Sequence, residues 1–327
     1  METNNKINIT TIWGGTWSYN VLSGLKKNLN FNLASVVTMS DSWWSTWKLR
    51  DEFGILPPWD LRRAILALSQ EDILLRKLFE YRFDKSSSVS GHTVWNLLIT
   101  AMADITWDFE KWIREISKMF RVKWKVVPVT LAKSDLVVIL ENWQEIFGET
   151  NIDCPLHNTE LCIKEAYLSP EVDINVKARE VLENSDIIII WPGDLYTSIV
   201  PNLLVKWVKK SIKNSDAKIV YFCNIMTKNW ETDGFEVEDF VDVIEKYLWK
   251  WLLDYVVVNN WHISDEMVEK YKNEESKIPV KIKDIKKFKD KHYKIIERDL
   301  LNEKDYVRHN PEKIAKVIED MVEWWIK

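Results

Sequence analysis

Runs of Val and Ile alternate along this chain with stretches of helical period, and that alternation limits the architectures open to it. Five runs read as strands: Ile7–Ile12, Leu33–Met39, Ile187–Ile190, Lys218–Cys223 and Tyr255–Val258. Amphipathic stretches separate them, at Tyr19–Leu29, Leu61–Leu68, Ile73–Phe83, Val94–Ala103, Phe109–Phe120, Pro201–Ile212 and Phe240–Leu248. Strands apolar on both faces, with helices between them, predict an α/β protein: a mostly parallel central sheet covered by helices on either side. Val126–Leu131 and Leu136–Leu140, joined by Ala-Lys-Ser-Asp, predict a small inserted hairpin, to which Ile163–Leu168 adds a strand. Asp84–Gly91 and Tyr271–Lys277 read as loops, and the charged run 281–294 as a solvated face, because acids interleave its lysines. No repeat of solenoid period and no shift of composition divides the chain, so residues 1–327 are read as one domain.

Charge and cysteine content narrow the class. A net charge of -5 gives no general attraction to nucleic acid or to anionic membrane. No apolar run is long enough to span a bilayer, and the first residues lack the basic-then-apolar layout of a secretory signal. The three cysteines, Cys154, Cys162 and Cys223, suggest no disulfide framework, and a cytoplasmic protein is expected. Cys154, His157 and Cys162 lack a fourth ligand at zinc spacing.

Tryptophan and glycine are out of proportion. The chain holds 19 Trp and 8 Gly, where average usage predicts roughly 23 Gly for this length; the two counts together come close to that figure. The tryptophans also stand where turns belong. Trp13 and Trp17 flank Gly14-Gly15-Thr16, Trp59 follows Pro-Pro, and Trp191 precedes Pro192-Gly193; Trp143, Trp230 and Trp261 lie in polar loops. Such positions favour a residue free to take positive φ, for which an indole-bearing β-carbon is poorly suited. The pattern predicts that most of these tryptophans stand where the working protein has glycine. A TGA codon, read as Trp by one variant code and as Gly by another, would produce it. Overpacking costs about 1–3 kcal/mol per site against a domain stability of roughly 5–15 kcal/mol. The chain with every indole in place is therefore expected to misfold.

The chemistry-bearing segments follow strands. After Ile7–Ile12 comes Trp13-Gly14-Gly15-Thr16-Trp17 and then a helix, an arrangement that offers backbone N–H groups to phosphate, or simply a tight turn. It has neither the Walker nor the dinucleotide spacing. After the second strand, Asp41 can hold a metal ion or a hydroxyl, Ser42, Ser45 and Thr46 can bond phosphate, and Lys48 and Arg50 supply positive charge; Trp43 and Trp44 lie among them. Asp60 is either a ligand contact or a helix cap. Gly193, Thr197 and Ser198 follow the Ile187–Ile190 strand, the hydroxyls meeting phosphate or capping the helix. Asn224, Met226, Thr227, Glu231 and Thr232 follow the next strand. Asn259 and Asn260 end the last one, as ligand contacts or as supports for loop backbone. His92 precedes a helix.

Several of these segments together resemble one family. Gly14-Gly15-Thr16 with Ser18–Lys27, Arg50–Pro58 with Asp60–Ser69, Asp186–Ile190 with Pro192–Val205, and Asn224–Asn229 with Glu231–Phe235 are similar to the gluconeogenesis factors, relatives of 2-phospho-L-lactate transferase. The tryptophans between these pieces stand where that family has glycine. The resemblance implies a Rossmann-like three-layer sandwich that binds a phosphorylated, nucleotide-bearing ligand. Gluconeogenesis factors are linked to carbon metabolism and to cell shape or wall homeostasis, and bind UDP-N-acetylglucosamine. The transferases move a phospholactyl group onto a deazaflavin precursor with Mg2+. The same resemblance points to Asn96 as a site residue, and to Tyr271 and Arg308 as sugar-nucleotide contacts, with residues 262–327 completing the site. Two departures stand out: Asp194 where the family has Ser, and Ser42 in place of an acid, which weakens the case for a metal at Asp41.

Three readings result. The favoured one is a nucleotide-sugar-binding regulatory protein, cytoplasmic, possible as a homodimer, with no nucleic acid and no membrane span. The second is a transferase with Asp41 and Asp60 as catalytic candidates around Mg2+. The third is a scaffold that binds nothing.

Overall fold

The computed structural model describes residues 6–14, 18–40, 59–69, 77–79, 81–83, 92–106, 108–155, 160–302 and 307–326. Strands are numbered along the chain: β1 (Ile7–Trp13), β2 (Phe31–Val37), β3 (Lys125–Pro128), β4 (Asp135–Leu140), β5 (Glu145–Phe147), β6 (Ile163–Ser169), β7 (Ile187–Ile190), β8 (Lys218–Phe222), β9 (Tyr255–Asn259), β10 (Lys294–Arg298), β11 (Leu301–Asn302) and β12 (Arg308–His309). Seven of them form the central sheet in the order β10-β9-β8-β7-β1-β2-β3, and every neighbouring pair is parallel. Chain order runs outward from β1 on one side and from β7 on the other. The seam between β1 and β7 is therefore the point where connections diverge, the place in such sheets where ligands sit.

The uninterrupted apolar strands are explained by burial on both faces. Ile187 and Ile189 enter one core, with Phe222, Val257 and Leu22. Ile188 and Ile190 enter the other, with Tyr221, Leu203 and Phe240. Asp186, just before β7, is bonded on both sides: its carboxylate accepts from Asn8 N at 2.7 Å and its carbonyl from Lys218 N at 3.0 Å. The first core is closed by helices α1 (Ser18–Leu25), α2 (Trp59–Leu68), α3 (Val94–Thr106), α4 (Phe109–Met119) and α11 (Pro311–Ile326). The second is closed by α6 (Val176–Glu183), α7 (Val200–Leu204), α8 (Val208–Asn214) and α9 (Val237–Leu248). Helix α4 starts where Asp108 accepts from the amides of Glu110 and Lys111, and it buries Trp112, Ile113 and Ile116 along one stripe.

The insert differs in detail from the expected hairpin. Residues 126–128 belong to β3 and extend the main sheet beside β2. The antiparallel insert is three-stranded, β5-β4-β6, followed after β5 by the short helix α5 (Glu149–Asp153). Leu136, Val138, Ile163 and Leu168 press it into the second core. The expected continuous helix 201–212 is broken. A π turn at Leu195–Ile199 leads into α7, Val205 is extended, Lys206 bridges to Asp173, and Trp207 at φ 74 starts α8. The charged run 281–294 carries a 3-10 turn with Phe288 buried. Its last residue opens strand β10, and α10 (Asp265–Glu275) occupies part of what reads as loop. Of the helix expected over 73–83, residues 77–79 are helical but 81–83 are not, because Arg82 pairs as an antiparallel bridge with Thr93; residues 73–76 and 80, and the whole loop 84–91, lie outside the described residues.

Backbone geometry bears directly on the tryptophans. Trp143, Trp207, Trp230, Trp249 and Trp251 all have positive φ, from 58 to 106, a region that costs an L-residue about 1–2 kcal/mol. Trp143 closes the β4–β5 hairpin: its amide donates to Leu140 O at 2.9 Å, in the left-handed position after a turn that glycine ordinarily fills. Trp249 combines φ 106 with ψ 136, in territory close to that reserved for glycine. Trp143, Trp207, Trp249 and Trp251 are between 43% and 74% exposed, so their cost lies in the backbone and not in packing. Trp191 and Trp261 lack positive φ. Trp191, Trp95 and Trp112 are buried instead, each with an indole N–H that finds no acceptor among the described residues.

Candidate functional site

The seam between β1 and β7 is a place of close backbone approach. Gly14 follows β1, and a β-carbon there would lie 2.8 Å from Ser198 O, 2.7 Å from Thr38 Cγ2 and 3.0 Å from Asp60 Oδ2. A β-carbon at Gly193, just beyond β7, would lie 3.1 Å from Gly14 O and 3.4 Å from Ser198 Cβ. Gly14, Asp60, Gly193 and Ser198, four residues from three separate segments, thus meet at the C-terminal edge of the sheet. Only glycine admits this approach at residue 14. Asp60 lies in the first turn of α2 and is buried.

A cavity of about 190 Å³ opens beside this seam. Its wall is built from Pro192–Asp194 after β7, Asn224–Lys228 after β8, Tyr271, Glu275 and Lys277 around the end of α10, and Val307–His309 at β12. Six residues singled out in the sequence therefore line one space: Gly193, Asn224, Met226, Thr227, Tyr271 and Arg308. Asn224 links cavity and seam, its Nδ2 donating to Gly193 O at 2.8 Å, while its Oδ1 has no hydrogen-bond partner among the described residues. Tyr271 is buried with its hydroxyl accepting from Val307 N at 3.1 Å, so its ring forms wall while its oxygen holds the next segment in place. Thr227 is committed to the frame, its hydroxyl accepting from Ile278 N at 3.0 Å.

The remaining expected residues divide. Thr197 is buried and its hydroxyl donates to Glu231 Oε1 at 3.2 Å, so a carboxylate of the protein already occupies it. Asn96 is buried in the first turn of α3 with its amide on Thr93 Oγ1, and no residue of α3 lines the cavity. Asn260 is exposed and bonded through its amide to Arg298 O, whereas Asn259 supports loop backbone, donating to Trp261 O and accepting from Leu300 N. Trp13 ends β1. Gly15, Thr16, Trp17, Asp41, Ser42, Trp43, Trp44, Ser45 and Arg50 lie outside the described residues.

The sequence reading missed Lys228 and His309. Lys228 Nζ is held by three carboxylates: Glu231 at 2.9 Å, Asp194 at 3.0 Å, and Asp153 of α5. Burial would lower the lysine pKa, but Glu231, Asp194 and Asp153 outweigh it and hold the ammonium well above its usual range. Glu231 is wholly buried, accepts also from Tyr196 N at 3.2 Å, and is pushed upward by burial against the pull of Lys228. The Asp194 departure thus has a partner on the adjacent loop. The signal was present: Lys228 and Glu231 sit three apart in one polar loop. His309 is buried, donates from Nε2 to Cys223 O at 3.3 Å, and is lowered by burial to about 4, so it is neutral at pH 7. Among the described residues no group of three or more His, Cys, Asp or Glu is placed to hold a metal ion, and Asp153, Asp194 and Glu231 converge on the lysine instead. No helix among them is long and apolar enough to cross a membrane.

Comparison with known proteins places this geometry. The family model described as 2-phospho-L-lactate transferase CofD matches residues 9–301. The Bacillus subtilis gluconeogenesis factor is 35% identical over 319 residues, covering 97% of this chain and 98% of its own. The gluconeogenesis factor of Halalkalibacterium halodurans is 35% identical over 318 residues, 96% of each chain. A crystal structure of a Bacillus halodurans protein superposes with a TM-score of 0.90 at 35% identity, covering 96% of this chain and 99% of that one; a second is described as a member of the UPF0052 family, with a TM-score of 0.89. With its seven-stranded parallel sheet and a match over most of its length, the chain belongs to the CofD family, and within it is similar to the gluconeogenesis factors.

Proposed function

We propose that the protein binds a nucleotide sugar of the UDP-N-acetylglucosamine type and acts as a regulator of central carbon metabolism and cell-shape or wall homeostasis. The observation that carries this is the cavity at the β1–β7 seam, where Arg308, Tyr271 and Asn224 share one wall. The diphosphate would lie along the glycine-bearing edge, with Arg308 forking onto it. The face of Tyr271 would meet the uracil or sugar, and Asn224 Oδ1 would accept from a ligand N–H or O–H. A cytoplasmic location and a homodimer belong to the same reading. Titration calorimetry with UDP-N-acetylglucosamine should give saturable heat, weakened in Arg308→Ala; no heat at millimolar ligand would overturn it.

A second reading is favoured by one observation: Asp60, a carboxylate, sits against Gly14 at the seam, within a family described as a transferase. Here Asp41 and Asp60 would hold Mg2+, and an acceptor hydroxyl would attack the phosphoryl centre, the new O–P bond forming as the P–O bond to the donor's nucleotide phosphate breaks and that nucleotide leaves. Formation of product from phospholactyl donor, deazaflavin acceptor and Mg2+ tests it, and its loss in Asp60→Asn would tie it to the seam.

A further inference from the structure

Besides Arg308 the cavity wall carries two lysines, Lys277, paired with Glu275 at 2.5 Å, and Lys228, which is held by several carboxylates. A lysine ammonium has three N–H donors, and Lys228 directs them toward three carboxylates. An incoming anion can reach it only by displacing one. The three are not equivalent. The Glu231 side chain is 0% exposed and is anchored by Tyr196 N and Thr197 Oγ1. Asp153 is 20% exposed and lies outside the cavity lining. Asp194 is 38% exposed and makes no side-chain cap to the turn it precedes. Only Asp194 and Lys228 of these four line the cavity. Asp194 therefore loses least on release, because water reaches it already, and it is the partner that faces the cavity.

We infer that Asp194 and Lys228 form an exchangeable ion pair: an anionic group of the ligand, phosphate in chemistry, takes the place of the Asp194 carboxylate on Lys228 while Glu231 and Asp153 keep the ammonium in position. This deepens the nucleotide-sugar reading and rests on it. Two consequences distinguish it from a purely structural salt bridge. Affinity for a phosphate-bearing ligand is set below its ceiling by competition from Asp194, and the competition operates through Lys228.

The test uses the full chain with two probes, UDP-N-acetylglucosamine and inorganic pyrophosphate, in titration calorimetry at low salt. Asp194→Asn should bind both about two- to fivefold more tightly, the worth of a partly solvated ion pair. Removing Lys228 alone would strand Glu231, so the comparison background is Lys228→Met with Glu231→Gln, which leaves no wholly buried charge. There, binding of both probes should be on the order of tenfold weaker, and adding Asp194→Asn should give no gain. An equal gain in both backgrounds would mean simple repulsion by Asp194 and would overturn the exchange. So would binding of both probes by the unaltered chain with no tightening in Asp194→Asn, and in that case the nucleotide-sugar reading would stand. If neither probe bound any of these proteins, the exchange and the reading beneath it would fall together.

Discussion

Lys228 Nζ lies 2.9 Å from Glu231 Oε1, and the glutamate side chain has no exposed surface. Removal of Lys228 leaves Glu231 as an uncompensated charge buried behind the cavity wall, whereas removal of Glu231 leaves Lys228 with Asp153 and Asp194. Lys228→Met should cost about 3–5 kcal/mol of unfolding free energy, whereas Lys228→Met with Glu231→Gln should recover much of that loss. Urea denaturation at pH 7 of both single variants and the pair gives the coupling; additivity would show that the contact contributes nothing of its own.

The positive-φ tryptophans should be improved by glycine. At Trp143, Trp207, Trp249 and Trp251, where the indoles are exposed, each Trp→Gly change should stabilise the chain by about 1 kcal/mol or more. That reverses the usual sign for a new glycine outside left-handed backbone. Melting temperatures of the four single variants check it. Intact mass of the protein isolated from its own cells, compared with that calculated for 19 Trp, checks whether the native chain already carries glycine there.

Gly14 and Gly234 should respond differently to alanine. At Gly14 the new methyl group meets the Ser198 carbonyl at 2.8 Å; about 1–3 kcal/mol of destabilisation is expected, with loss of ligand binding as the seam is pushed open. At Gly234 nothing lies within 4 Å but φ is +70, so the expected cost is about 1 kcal/mol of backbone strain with binding unchanged. Calorimetry and melting curves of the two variants separate the cases.

His309 should make the fold acid-sensitive. Its ordinary value is 6.5 and burial lowers it to about 4 in the folded chain, so the unfolded chain takes up the proton first as pH falls. Stability contributed by the neutral imidazole is complete above about pH 6.5 and is lost progressively down to about pH 4, by up to about 3 kcal/mol. His309→Gln should flatten that part of the stability profile; an unchanged slope would assign the acid sensitivity to other groups.

The layered sheet was readable because residues 187–190 and 255–258 have no polar face, which only burial on both sides permits. The fate of residues 126–131 was not. An apolar run beside a turn fits a hairpin as well as an edge strand, and only the partner, β2, decides. The helix over 201–212 failed for a local reason, since Trp207 takes a conformation that no reading of an indole would suggest. At the site, Gly193, Asn224, Tyr271 and Arg308 were legible as residues following strands or through family likeness. Lys228 was hidden because a lysine in a polar loop ordinarily points to solvent; its burial depends on Asp153 arriving from the insert, which no local pattern reveals.

Four consecutive isoleucines carry no mark that tells one face of β7 from the other. A slide by one residue would hand each layer an equally greasy pair, so side-chain character cannot choose between the alignments. The choice falls to the strand's ends: Asp186, clasped by Asn8 on one flank and Lys218 on the other, and the residue after Ile190, whose amide donates to Ile12 O. Loosening that clasp would carry Gly193 about 3 Å along the strand axis, away from Gly14. A carboxylate at the foot of the sheet thus contributes to the alignment of the backbone at its opposite rim.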